Sequence, residues 1–286
     1  MKNLSYYPLV VLIILLFTAC QENDEAPATT GAFSVEFDNY VGDQAMQLDP
    51  VGDTNYRYTT GAGQAFNLST FRYYISGIRL EGPDGTVYED NMNVSPDADQ
   101  VKGYYLVQES EAYSHFVSLK DVPAGQYNKI TFTLGIPEEG MSEGAGGGIL
   151  DPAEGAWFWN WNAGYINLGI EGTAAASAQQ KVEGDGFTIE PNTFALHVGG
   201  WKEVDPSVPN SDRFVNNIRT VTLDFGTSVT VSDDLKPEAH VVLDVLQILD
   251  GAKLDFSQTY SVHSPKPGQA FADQIPTAFS IDHVHQ

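Results

Sequence analysis

The stretch "RTVTLDFGTSVTVSD", residues 219–233, decides the fold. Apolar and polar side chains alternate through it, and Val, Thr, Leu and Phe dominate. That combination suits a pleated strand with one buried face. The same pattern recurs in "GAFSVEFDNYV" (31–41), "AFNLSTFRYYISGIRLEG" (65–82), "YNKITFTLGI" (127–136), "AGYINLGIEG" (163–172) and "TFALHVGGW" (193–201). The runs are separated by Gly, Pro, Asn and Asp clusters, of which "GPDGTVY" (82–88) and "PAGQY" (123–127) read as turns. Helical periodicity is weak. In "VVLDVLQILDGA" (241–252) helix and strand readings compete. Many short strands at this spacing, with no internal repeat and no second linker, predict one all-β domain over residues 31–286, a β-sandwich with long loops.

The opening segment "MKNLSYYPLVVLIILLFTAC" (1–20) carries one positive side chain, an apolar run from Leu9 to Phe17, and small residues before a cysteine. That run is too short to cross a bilayer, which needs about 20 apolar residues. It reads as a secretion signal over residues 1–19. Cys20 is the only cysteine, so it cannot form an internal disulfide. "FTAC" resembles a lipobox, which makes Cys20 the expected lipidation site at the head of a flexible tether over residues 20–30, read from the polar, acidic "QENDEAPATTG". Acidic residues directly after the cysteine resemble the surface-export signal of Bacteroidetes lipoproteins. The expected location is the cell envelope, on the periplasmic or cell-surface face of the outer membrane.

The chain has 14 Lys plus Arg against 38 Asp plus Glu, a formal charge of -24 spread along its length. Such a field repels nucleic acid, whose binding needs basic clusters, and it repels anionic lipid, so membrane contact is expected through the anchor alone. It attracts cations in general.

Six histidines occur in 286 residues, and two of them, His283 and His285, fall in the final "FSIDHVHQ" (279–286). On a strand, an H-x-H pair puts both imidazoles on one face, close enough to share a metal ion. His197 lies inside the apolar strand "FALHVGGW" (194–201), where a satisfied core histidine is the competing reading. His263 precedes Ser-Pro in a loop, and the prolines between it and the last strand predict an ordered, non-helical excursion. Trp157, Trp159 and Trp161 stand at spacing two. They read as a core cluster, a stacking platform for sugar rings, or an electron-rich wall beside a metal site.

"FRYYISGIRLEGPDG", "VPAGQYNKITFTLGI", "FALHVGGW", the terminal "HSP…FSIDHVH" and, most specifically, the D-P-x-x-G-x-x-x-W-x-W-N-x-G-Y-I stretch from Asp151 to Ile166 resemble the MbnP family. These are secreted or lipid-anchored proteins related to partners of methanobactin operons and to methanotroph surface copper proteins. The resemblance implies a β-sandwich that binds copper, as Cu(I) or Cu(II), through histidines. In some members a MauG-type dihaem enzyme oxidises a tryptophan to kynurenine. The family motifs fall on His197, His263, His283 and His285, and the expected ligand set is His263, His283 and His285, with His197 as a fourth or supporting group. His115 and His240 are left outside it. The kynurenine of the methanotroph proteins lies two residues before a ligand histidine. No W-x-H spacing occurs in this chain, so Trp159 and Trp161, rather than Trp201, are the tryptophans expected near the site or modified.

Imidazole suits copper, and zinc is the rival metal because three histidines with an open position also hold it. "DPVGDTN" (49–55) and "SPDADQ" (95–100) resemble structural calcium loops without the full EF-hand pattern. No G-x-S-x-G, H-E-x-x-H or cysteine nucleophile is present, and no enzyme activity is expected. The alternative function is a carbohydrate-binding surface lipoprotein using Trp157, Trp159 and Trp161. It predicts exposed tryptophans, whereas metal binding predicts partly buried tryptophans and clustered histidines.

Overall fold

The computed structural model describes residues 29–141, 146–160 and 162–286. Cys20, the leader and Trp161 lie outside the described residues. The expected all-β architecture is present. In chain order the principal strands are β1 (Thr30–Val41), β2 (Ala65–Glu81), β3 (Tyr104–Gln108), β4 (Phe116–Pro123), β5 (Gly125–Leu134), β6 (Phe158–Asn160), β7 (Gly164–Ala174), β8 (Thr193–Gly199), β9 (Arg219–Val231), β10 (Glu238–Asp244), β11 (Ser261–Val262) and β12 (Phe279–His285).

These strands form a sandwich of two sheets. The larger runs β9-β5-β2-β7-β8-β11, with β3 on β2 and β6 on β7; the smaller runs β12-β10-β1, with β4 on the other edge of β1. Alternate residues of both sheets meet in one core. Phe33, Val35 and Phe37 of β1 and Val241 and Leu243 of β10 face Phe71, Tyr73 and Phe132 of the larger sheet, all of them buried. Phe37 packs edge-on against Phe132 at 5.6 Å between ring centres, a favoured aromatic geometry. The complementary residues, including His197 on β8 and His240 on β10, point to the outer faces. A smaller cluster of Tyr74, Tyr104, Leu150 and Tyr165 lies under the connection between β5 and β7.

The ambiguous 241–252 stretch is both strand and helix. β10 ends at Asp244, whose carboxylate accepts from the Leu246 N–H at 2.9 Å and starts helix α1 (Val245–Gly251). An N-cap of this kind satisfies an otherwise unpaired amide at the helix start. The excursion after His263 is helical, contrary to the expectation, and comprises α2 (Pro265–Ala272) and α3 (Ile275–Ala278). Pro265 and Pro276 fall in the first turns, where a missing N–H forfeits no helical bond. This helical passage carries the chain from β11 in the larger sheet to β12 in the smaller one.

The register of β12 decides where its histidines point. Phe279 and Ile281 pack on the core, so strict alternation would send His283 and His285 inward as well. The ladder slips between the pairs Val241↔Ile281 and His240↔His283. This bulge adds Asp282 to β12 and resets the parity. Val284 then packs inward and both histidines face out, with His283 directly opposite His240.

Candidate metal centres

Two histidine clusters lie on the outer faces of the two different sheets. The first is built on β7 and β8. Gly169 of β7 is flanked in register by Arg72 of β2 on one side and His197 of β8 on the other. Without a side chain, Gly169 forms a floor on which the Trp157 ring lies; a Cβ there would sit 2.5 Å from Cζ3 of the ring. The Arg72 guanidinium carbon is 4.6 Å from the Trp157 ring centre, within cation–π range, and the His197 ring centre is 5.0 Å from it. Trp159 lies over a second glycine, Gly199, two residues beyond His197.

His197 Nε2 is 2.7 Å from Glu171 Oε1, and His197 Nδ1 is 3.0 Å from Nδ1 of His263, which follows β11. Burial works to raise the Glu171 carboxyl, but the hydrogen bond and charge of His197 outweigh it and hold the group below its ordinary value. Glu171 is therefore ionised and accepts the His197 Nε2–H, which leaves Nδ1 as the lone-pair nitrogen. Burial, and then the neighbouring His197, pushes the His263 imidazole below its ordinary value, so at neutral pH it is uncharged. The short Nδ1···Nδ1 contact thus places one proton between the two rings. A metal ion can replace that proton, with Glu171 fixing the tautomer behind His197. Opening the pair by a few tenths of an ångström gives the N···N edge of about 3.3 Å that a tetrahedral ion with bonds of about 2.0–2.1 Å requires.

The second cluster joins β10 and β12. His240, His283 and His285 each bring a ligand atom within 4.8 Å of the others. His283 Nε2 is 3.0 Å from His285 Nε2, and the His240 and His283 rings stack at 4.2 Å. Asp38 lies 3.0 Å from His240 Nδ1, and Asp282 lies 2.7 Å from His283 Nδ1.

The four histidines expected to form one set are therefore divided. His197 and His263 meet on the larger sheet; His283 and His285 meet on the smaller one, with the hydrophobic core between. The helical passage after His263 is the reason, since it takes the chain across to the other sheet. His240, left outside by sequence reasoning, completes the second group, and Glu171 was also missed. His240 occupies a polar position of the alternation in "EAHVVLD" (238–244), the signal that could have placed it beside an outward-facing H-x-H. Trp157, not Trp159, contacts His197. Both rings are half-buried. His115 stands elsewhere, with Nε2 3.6 Å from Glu109. In the two loops resembling calcium sites, Asp49 pairs with Arg57 and Asp97 caps a short turn of helix; among the described residues neither loop joins a group of potential metal ligands.

The family model for MbnP matches residues 30–264. The chain belongs to the MbnP family. Among solved structures it is similar to MbnP from Methylosinus trichosporium, at 18% identity over 77% of each chain and a TM-score of 0.47. No curated protein matches it. The MbnP match takes in Trp157, Glu171, His197, His240 and His263, and stops before His283 and His285.

Proposed function

We propose that this protein is an extracytoplasmic copper-binding lipoprotein of the cell envelope that takes part in copper acquisition or homeostasis. Its copper is held by His197 and His263 beside Trp157. Membership of the MbnP family supports a methanobactin-related, copper-associated role. The observation that carries the reading is the convergence of two imidazole Nδ1 atoms at 3.0 Å, with Glu171 behind one of them. Imidazole binds both Cu(I) and Cu(II), and binding is favoured when the rings are neutral. Zinc is the rival ion for the same nitrogens.

The lipid anchor at Cys20 and the envelope location belong to the same proposal and rest on the leader sequence. A dihaem oxidase of the MauG type is the proposed partner; acting at this site, it would meet Trp157 against His197. Trp157 and Trp159 lie half-buried against the glycine floors, which supports a metal wall over a sugar platform.

Copper retention after removal of weakly held ions tests the proposal. In protein carrying His283→Ala and His285→Ala, about one copper should remain, and adding His197→Ala and His263→Ala should remove it. Retention in the fourfold variant would overturn the assignment.

A further inference from the structure

The β10–β12 cluster is independent of the copper proposal, because its ligands lie on the opposite outer face and two of them lie beyond the MbnP match. We propose that His240, His283 and His285, with Glu238 as fourth donor, form a separate site for a divalent transition-metal ion of the zinc or copper(II) class.

Three features of the geometry build this site. The first is convergence, since the three histidines bring their ligand atoms within 4.8 Å of one another from two adjacent strands. The second is orientation. Asp38 accepts from His240 Nδ1–H at 3.0 Å and Asp282 accepts from His283 Nδ1–H at 2.7 Å, which leaves the Nε2 atoms as the ligand nitrogens. Carboxylates that hold the far nitrogen of a ligand histidine in this way fix its tautomer and raise its basicity. His283 Nε2 and His285 Nε2 lie 3.0 Å apart, close to the N···N edge of about 3.3 Å on a tetrahedral ion.

The third is charge. Glu36 and Asp38 of β1 lie beside His240, with Glu36 Oε2 3.4 Å from His240 Nδ1, while Glu238 Oε1 lies 3.6 Å from His240 Nε2. Glu238 is also the register partner of His285. Its carboxylate is thus beside the ligand nitrogen of His240, near the spacing of about 3.3 Å between neighbouring donors on a tetrahedral ion. An N3O donor set with two or more nearby carboxylates matches a hard-to-borderline divalent ion rather than Cu(I).

The strand that carries the pair is not a loose tail. The Gln286 side chain spans to β9, accepting from the Thr230 N–H at 3.0 Å and donating to the Thr230 carbonyl at 2.9 Å. Val284 and Ile281 anchor β12 to the core.

Cobalt(II), a visible-absorbing probe of tetrahedral sites, tests the proposal in the full-length protein stripped of metal. The background carries His197→Ala and His263→Ala, so that failure of the copper reading cannot imitate failure of this one. The expected result is one equivalent of Co(II) with the intense absorption of a tetrahedral ion, displaced by Zn(II). His285→Ala, at an exposed position that leaves folding intact, should abolish that absorption. His240→Ala should weaken binding at least tenfold, and Glu238→Gln should weaken it while leaving binding detectable. If His240→Ala titrates like its parent, the H-x-H pair chelates alone and the proposed site is overturned. Absence of a tetrahedral spectrum in the background protein overturns it equally.

Discussion

The two histidine clusters are assembled by opposite means. Around Trp157, the site depends on what is missing from the sheet. Gly169 leaves room for an indole ring between Arg72 and His197, and the histidines come from β8 and from the loop after β11. Around His283, the site depends on what is added: one extra residue in β12 turns two histidines outward to meet His240, and carboxylates crowd around them. The first cluster pairs a half-buried ring, His197, with an exposed one, His263, beside an aromatic wall. The second is a partly exposed triad in an acidic surround. The difference teaches that one fold can present imidazole in two settings, one walled by an aromatic ring and one by carboxylates.

The comparison breaks most forcefully at the strand that carries only one cluster. Phe279 is buried against Phe132 at 5.1 Å between ring centres and anchors β12. Phe279→Ala should destabilise the protein by about 3–5 kcal/mol, as large core truncations do. Urea unfolding measures the loss, and metal bound at the His240 cluster should recover part of it, because a ligand that binds only the folded state stabilises it.

Gly169→Ala attacks the other cluster. Its Cβ would collide with the Trp157 ring, and overpacking of this kind costs about 1–3 kcal/mol. Tryptophan fluorescence should shift, copper retention at His197 and His263 should fall, and Co(II) binding at the His240 cluster should not change.

Glu171→Gln sharpens the comparison without removing a ligand. It loses the carboxylate that fixes the His197 tautomer, so copper affinity should fall about 10–100-fold. A competition titration reads the change. An unaltered affinity would mean that Glu171 does not orient the ligand.

The smallest effect is the pH dependence contributed by His263. Its pKa is lowered in the folded protein, by burial and then by His197, so below its unfolded pKa of about 6.5 the unfolded state binds more protons. Stability should therefore be fully present above that pH and decline as pH falls towards the depressed folded pKa. His263→Gln should remove this component of the slope, measured by unfolding at a series of pH values.

Sequence by itself determined the strands, because a buried face and a solvent face impose alternation on every strand that has both. "RTVTLDFGTSVTVSD" became β9, and the single-domain sandwich follows from many such runs. The histidines stood out as candidate metal ligands, and the break of alternation in "FSIDHVH", with apolar residues at 279, 281 and 284, marks a change of parity. Sequence could not decide which histidines meet. Strand pairing brings together His240 and His283, 43 positions apart in the chain, and that pairing is fixed by the burial of Ile281 and Val284, not by the imidazoles. Only the tertiary structure decided that His263 stays with His197. The helices after it carry the chain to the other sheet, and a core of packed aromatic rings then separates histidines that lie close together in the sequence.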